Sequence, residues 1–162
     1  MRVTLIRHAE AGDDAPRDES RALTVKGRAD TRRLGRVLDG RGVRFSLVVT
    51  SPLVRAVQTA EIVAAAVKYR GRVMANDMLV PEGAVAKVVA FLRSAAGEKG
   101  VALVAHEPIL SALAAALTGR ARHPALRKAE ALRIRMPDGG AAGPGALRWR
   151  VDGSTGRRDS LR

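Results

Sequence analysis

Apolar residues fall along this chain in short runs that alternate with longer stretches in which they recur every three or four positions. The runs Val3 to Ile6, Phe45 to Val49 and Val101 to Ala105 each end at polar or turn-forming residues. Runs of that length, bounded in that way, predict buried strands. The intervening spacing predicts helices. One opens after Leu23 with Thr24 as N-cap, turns Leu34, Val37 and Leu38 inward and Arg28, Arg32, Arg33 and Arg36 toward water, and stops at Gly40 and Gly42. A second starts directly after Thr50-Ser51-Pro52, with Ala56, Ala60, Val63, Ala64 and Val67 on one face. A third follows Pro81-Glu82-Gly83 and carries Val85, Val88, Val89, Leu92 and Ala96; the fourth has Pro108 in its first turn and buries Leu110, Leu113, Ala114 and Leu117.

The remaining elements are shorter. Arg72 to Met74 predicts an edge strand, and Ala131 to Met136 with Ala146 to Val151 predicts an antiparallel hairpin joined by the turn-rich stretch from Pro137 to Gly145. Ala9 to Ala22 is a polar loop, long enough to be either functional or disordered. Strands alternating with helices give an α/β class: a three-layer sandwich with a mostly parallel central sheet and helices on both faces. Residues 1–152 are expected to form one domain and 153–162, rich in Gly, Ser and Arg, a flexible tail.

Composition narrows the picture. Of 162 residues, 46% are hydrophobic and only 2% aromatic, so Val, Leu, Ile and Ala must build the core. Cysteine is absent, which excludes a disulfide framework and any thiolate metal site. The net charge of +13 suits a polyanionic partner, but the arginines are spread through every segment and the aromatic platforms used for single-stranded nucleic acid are nearly missing. No nucleic-acid partner is expected; the charge serves better to draw in a phosphorylated substrate. No apolar run is long enough to span a bilayer, and the N-terminus enters a strand without a signal-peptide pattern. The expectation is a cytoplasmic protein without a membrane partner.

The chemistry lies at the strand ends. The first strand stops at Arg7-His8, the second feeds a helix whose first turn holds Arg55, and the fourth stops at His106-Glu107-Pro108. Open α/β sheets bind ligands beyond the carboxyl ends of their strands. Taken singly, each of these residues reads as surface or cap chemistry. Together, two arginines and two histidines at one sheet edge predict a pocket for a dianionic phosphoryl group, with helix N-termini after Pro52 and Pro108 adding partial positive charge.

Four segments resemble the histidine phosphatase superfamily, which includes the phosphoglycerate mutases: Arg7-His8-Ala9, Ser51-Pro52-Leu53-Val54-Arg55-Ala56-Val57-Gln58-Thr59-Ala60, Ala105-His106-Glu107-Pro108, and Arg21-Ala22-Leu23-Thr24 with Gly27. The last, with the short chain, is similar to the SixA-type phosphohistidine phosphatases. The likeness runs from about Met1 to Leu117. It implies a phosphoglycerate mutase-like fold, His8 as the nucleophile that takes the phosphoryl group, Arg7 and Arg55 as holders of its oxygens, His106 as the second pocket histidine and Arg21 as a further arginine facing the pocket. It implies neither metal nor cofactor.

Imidazole chemistry agrees, since His8 can attack without a separate base if its other ring nitrogen is tied to an acceptor. The general acid is open. Glu82 lies in the right region, yet an acid after Pro81 is also what a helix N-terminus favours. Arg21 reads equally as solvated, Ser51 as a turn or cap residue rather than a nucleophile, and Glu10 and Glu107 as loop carboxylates; Arg21, Ser51 and Glu82 stand as the candidate substrate-binding residues. The expected activity is metal-independent removal of phosphoryl groups from phosphohistidine on a signalling or phosphotransfer protein. The alternatives are a broad phosphomonoesterase on small molecules and a non-catalytic module for acidic partners. Without large insertions between the motifs, a shallow open site on a monomer is expected.

Overall fold

The computed structural model describes residues 1–137 and 143–160. Seven strands form one sheet: β1 Arg2–Arg7, β2 Leu47–Thr50, β3 Val73–Ala75, β4 Gly100–Ala105, β5 Glu130–Arg135, β6 Ala146–Asp152 and β7 Arg158–Ser160. Four helices accompany them: α1 Val25–Gly40, α2 Val54–Ala66, α3 Val85–Ser94 and α4 Ile109–Thr118. The spatial order is β3-β2-β4-β1-β5-β6-β7. β1, β2, β3 and β4 pair in parallel, whereas β5, β6 and β7 add by antiparallel pairing. The sheet is thus mixed, because the C-terminal third returns by hairpins instead of helical crossovers.

Two separate apolar layers flank the sheet. Val3, Leu5, Val101, Leu103 and Ala105 point to the face covered by α3 and α4, through Val88, Leu92, Leu110 and Leu113. Ile6, Ala102, Val104 and Val48 point the other way, onto α1 and α2 through Leu34, Leu38, Ala56, Ala60 and Val63. Each central strand therefore buries both of its faces, which is why β1 and β4 read as continuous apolar runs and not as alternating ones. Removing one such side chain, Leu103→Ala for example, costs about 2–5 kcal/mol.

The ends of the helices follow from local chemistry. Thr24 caps α1, its Oγ1 accepting from the amide of Gly27 at 2.9 Å, and α4 closes on Gly119 with φ +65°. Pro108 is the N-cap residue of α4, one position ahead of the predicted first turn.

One expectation needs correction. The segment after Gly153, predicted as a tail, turns back so that Arg158–Ser160 pairs with Trp149–Val151 of β6; the amide of Gly153 is held by the carbonyl of Ala129. The loop 9–22 is also built: Ala11 bridges Leu23, Gly12 donates to Ala22, and Asp18–Ser20 makes a 3-10 turn. The turn predicted over 137–145 lies mostly outside the described residues.

Candidate active site

β1 and β4 are parallel neighbours in register from Arg2↔Gly100 to Arg7↔Ala105, so both run out at the same level. His8 and His106 are the next residues of each strand. Their rings meet with centroids 4.8 Å apart at 53°. α2 begins two positions after Pro52, at the end of the adjacent strand β2, and brings Arg55 into its first turn. The four predicted groups thus share one sheet edge, as the parallel topology requires.

Each is locked by protein contacts. His8 Nδ1 lies 2.7 Å from the carbonyl oxygen of Ala9. A carbonyl only accepts, so Nδ1 carries the hydrogen and Nε2 keeps its lone pair. Burial pushes the His8 ring down to about 4, with the cations of Arg55, Arg7 and Lys128 acting in the same direction and the Ala9 bond opposing. His106 is pushed down to about 3, by burial first and then by His8 and Arg55. Both imidazoles are therefore neutral at pH 7.

The arginines divide their donors. Arg7 Nη1 donates to the carbonyl of Leu126 at 2.6 Å, while its Nε is buried with no hydrogen-bond partner. Arg55 Nη1 and Nη2 donate to the carbonyl and to Oδ2 of Asp18, at 2.7 and 2.9 Å. His106 Nε2 meets Ser51 Oγ at 2.9 Å, and its Nδ1 is the second buried pocket atom without a partner. Ser51 is fully buried, and its Oγ also accepts from the amide of Leu53. That hydroxyl belongs to the wall of the site, as a support for His106.

Arg21 reaches the same cluster at one remove. Its Nη1 pairs with Asp18 Oδ1 at 3.1 Å, its Nη2 with Asp13, and its Nε donates to the carbonyl of Gly12. Glu82 is not brought in. It is exposed on the turn before α3 and makes no hydrogen bond or ion pair among the described residues, although Gly83 beside it packs against Ile109 at the start of α4.

Asp18 carries no signal in the sequence. Its carboxylate spans Arg55 and Arg21, and those two bonds, Arg55's first, hold it below the usual carboxylate range. A single Asp in a polar loop gives no periodic or motif pattern; only the excess length of that loop marks the segment. Glu107, read as a loop carboxylate, bridges two segments. Its Oε1 accepts from the amide of Leu126 at 2.7 Å and its Oε2 from Ser111 Oγ at 2.6 Å. Leu126 in turn receives Arg7. His8, Arg55 and His106 keep 8, 6 and 3% of their surface. Asp18 covers the fork of Arg55.

Comparison with known proteins places this arrangement. The profile of the histidine phosphatase superfamily (branch 1) matches residues 3–76, which carry Arg7, His8 and Arg55. The chain belongs to the histidine phosphatase superfamily. That membership, together with the likeness to SixA given below, makes it a phosphatase, a hydrolase of phosphoryl groups. An uncharacterized protein of Picosynechococcus sp. is 36% identical over 121 residues, 72% of this chain and 73% of that one. The phosphohistidine phosphatase SixA of Escherichia coli (strain K12) is 28% identical over 153 residues, 93% of each chain. A solved structure of the protein histidine phosphatase SixA complexed with tungstate superposes with a TM-score of 0.88 at 27% identity, covering 96% of this chain and 99% of that one. The phosphoglycerate mutase-like fold read from the sequence is the fold observed. Among the described residues no cluster of His, Asp or Glu is suited to a metal ion, and no helix is long and apolar enough to cross a membrane.

Proposed function

We propose that this phosphatase removes phosphoryl groups from phosphohistidine borne on a protein, through a covalent intermediate on His8. The observation that carries the reading is the pair of buried, unpartnered atoms, Arg7 Nε and His106 Nδ1, beside the ring of His8. Buried polar groups are almost always paired. A guanidinium Nε only donates, so it is free to receive a phosphoryl oxygen. With the Ser51 hydroxyl hydrogen directed to His106 Nε2, the proton of His106 sits on Nδ1, making a second donor there. A tetrahedral oxyanion between these donors satisfies both, and Arg55 supplies the fork for its remaining oxygens.

The steps then follow from the atoms. The Nε2 lone pair of His8 attacks phosphorus, and the P–N bond to the substrate imidazole breaks with its electron pair returning to that nitrogen, which is protonated by water. Water next attacks the phosphorus held on His8; the P–Nε2 bond breaks with its electron pair returning to Nε2, the proton lost by this water neutralises the hydroxide left in the first step, and inorganic phosphate leaves. Two easier displacements replace one difficult hydrolysis.

The leaving group favours phosphohistidine over an alkyl phosphate. An alkoxide needs a proton from a neutral acid. Asp18 is held ionised by its arginines, Glu107 is committed to Leu126 and Ser111, and Glu82 stands exposed outside the cluster. Imidazole departs without such help. The similarity to SixA of Escherichia coli supports the same reading.

The test is turnover of a phosphohistidine-bearing phosphotransfer protein and of a simple alkyl phosphate by wild type and His8→Ala, with chelator present. Faster turnover of the protein substrate, abolished in the variant, is the expected result. Preference for the alkyl phosphate would refute it and make Glu82 the acid to examine.

A further inference from the structure

The end of the sheet opposite His8 holds a concavity of its own. A cleft of about 970 Å³ opens where β1 begins and β5 ends, lined by Arg2, Arg41, Lys99, Arg133, Arg135 and Arg148, with Arg158 of β7 at its side. Its lining contains no Asp or Glu, and none of these seven cations forms an ion pair among the described residues. The start and end of β1 are roughly 17 Å apart at the rise of a strand, so this cleft is separate from the histidine pair.

The arrangement is built into the sheet and is not a scatter of surface charge. Arg2 and Arg135 are direct partners across the antiparallel β1–β5 pair, a placement in which like charges destabilise. Arg133, two residues back, is 6% exposed; its Nη1 donates to Thr4 Oγ1 at 2.7 Å, and its guanidinium lies 5.8 Å from the centre of the Trp149 ring. No carboxylate answers it among the described residues, and burial, reinforced by Arg2, lowers it to about 10. Between Arg133 and Ile134 the register with β6 slips from Trp149 to Leu147, leaving Arg148 as the extra, unpaired residue. A bulge re-aims a side chain. Here it adds a further arginine to the lining.

We infer that this cleft is a second ligand site, which binds the phosphate chain of a small oligophosphate such as a nucleoside triphosphate or inorganic triphosphate. Its volume is that of a small-molecule site. One orthophosphate is matched by two or three guanidinium groups; seven cations with no counter-charge among the described residues match several linked phosphates. Nucleic acid fits less well, because the cations surround a cleft instead of following a groove, and the one indole is buried with Arg133 on its face, leaving no platform for a base.

The experiment is calorimetric titration of the full chain with sodium tripolyphosphate and, separately, ATP, at low salt with chelator. It compares wild type, Arg135→Gln/Arg148→Gln and Arg55→Gln. Arg135 and Arg148 are exposed, so the double variant should fold, and an unchanged or raised thermal midpoint verifies this. Expected are binding that is at least about tenfold weaker in the double variant, retained in Arg55→Gln, and unchanged turnover at the histidine pair in the double variant. Equal affinities for the two probes assign recognition to the phosphate chain alone, and tighter ATP adds the nucleoside; both support the site. It is overturned if the double variant binds like wild type, if Arg55→Gln abolishes binding, or if a single-stranded oligonucleotide binds more tightly than tripolyphosphate.

Discussion

Asp18 occupies both arms of the Arg55 fork, with its own carbonyl on Nη1 and its carboxylate on Nη2. A phosphoryl group that needs those donors must displace it. The Asp18 side chain is 59% exposed, so the contact is a weak surface ion pair made with a nearly buried partner. Asp18→Asn is expected to tighten inhibition by tungstate about fivefold, the value of an exposed ion pair of up to about 1 kcal/mol. Competition kinetics will show it. Weaker inhibition would mean that Asp18 positions Arg55 and does not screen it.

The depressed histidines give a pH signature. In the unfolded chain both rings protonate near 6.5, whereas in the fold His8 and His106 do so only at about 4 and about 3. Between those limits the unfolded state binds more protons, so stability rises with pH through this window and levels off above about 6.5. Each ring contributes up to ~1.4 kcal/mol per pH unit. Urea denaturation at pH 4.5, 5.5 and 7 should show the slope, and His106→Asn should reduce it. Ring NMR signals of His8 and His106 titrating near 6.5 in the folded protein would contradict it.

Ser51→Ala removes the partner of His106 Nε2 on a ring whose Nδ1 already has none. The expected cost is about 1–3 kcal/mol of stability. Turnover should drop about tenfold, a loss of roughly 1.4 kcal/mol in the barrier, with partial recovery in Ser51→Thr. Steady-state kinetics with a melting curve separates the two effects; full activity in Ser51→Ala would remove the hydroxyl from the site's support.

Glu107 holds Arg7 through the backbone of Leu126. In Glu107→Ala the Leu126 amide loses its acceptor. The expected result is a KM raised several-fold and a lower melting temperature, while Ser111→Ala, which loses only the helix-start contact, keeps its KM. Equal effects in the two variants would confine Glu107 to capping α4.

What was legible in the sequence is what repeats or what a strand end marks. β1, β4 and the four helices are apolar patterns, and Arg7, His8 and His106 stand where those patterns stop. Parallel pairing then brings them together without further information. Gly27 was legible only through the family resemblance; a Cβ there would run into the carbonyl oxygen of Glu10, so α1 and the loop after His8 approach backbone to backbone. Hidden were Asp18 and the Glu107–Leu126–Arg7 relay, which depend on how irregular segments fold back. β7 was hidden too, because three exposed residues with no apolar alternation carry no strand signal.

β1 lies in the middle of the sheet although it is made before every other strand. His8 donates its amide to the carbonyl of Ala105 and accepts from the amide of Ala129, and Arg7 is anchored to a carbonyl 119 positions later in the chain. The pocket cannot form locally: the strands that flank His8 are made on the order of a hundred residues after it, and closing such long loops is the slow part of folding. His8 is thus synthesised early and reaches its finished surroundings late, and a chain interrupted before Leu126 lacks the carbonyl that anchors Arg7 beside it.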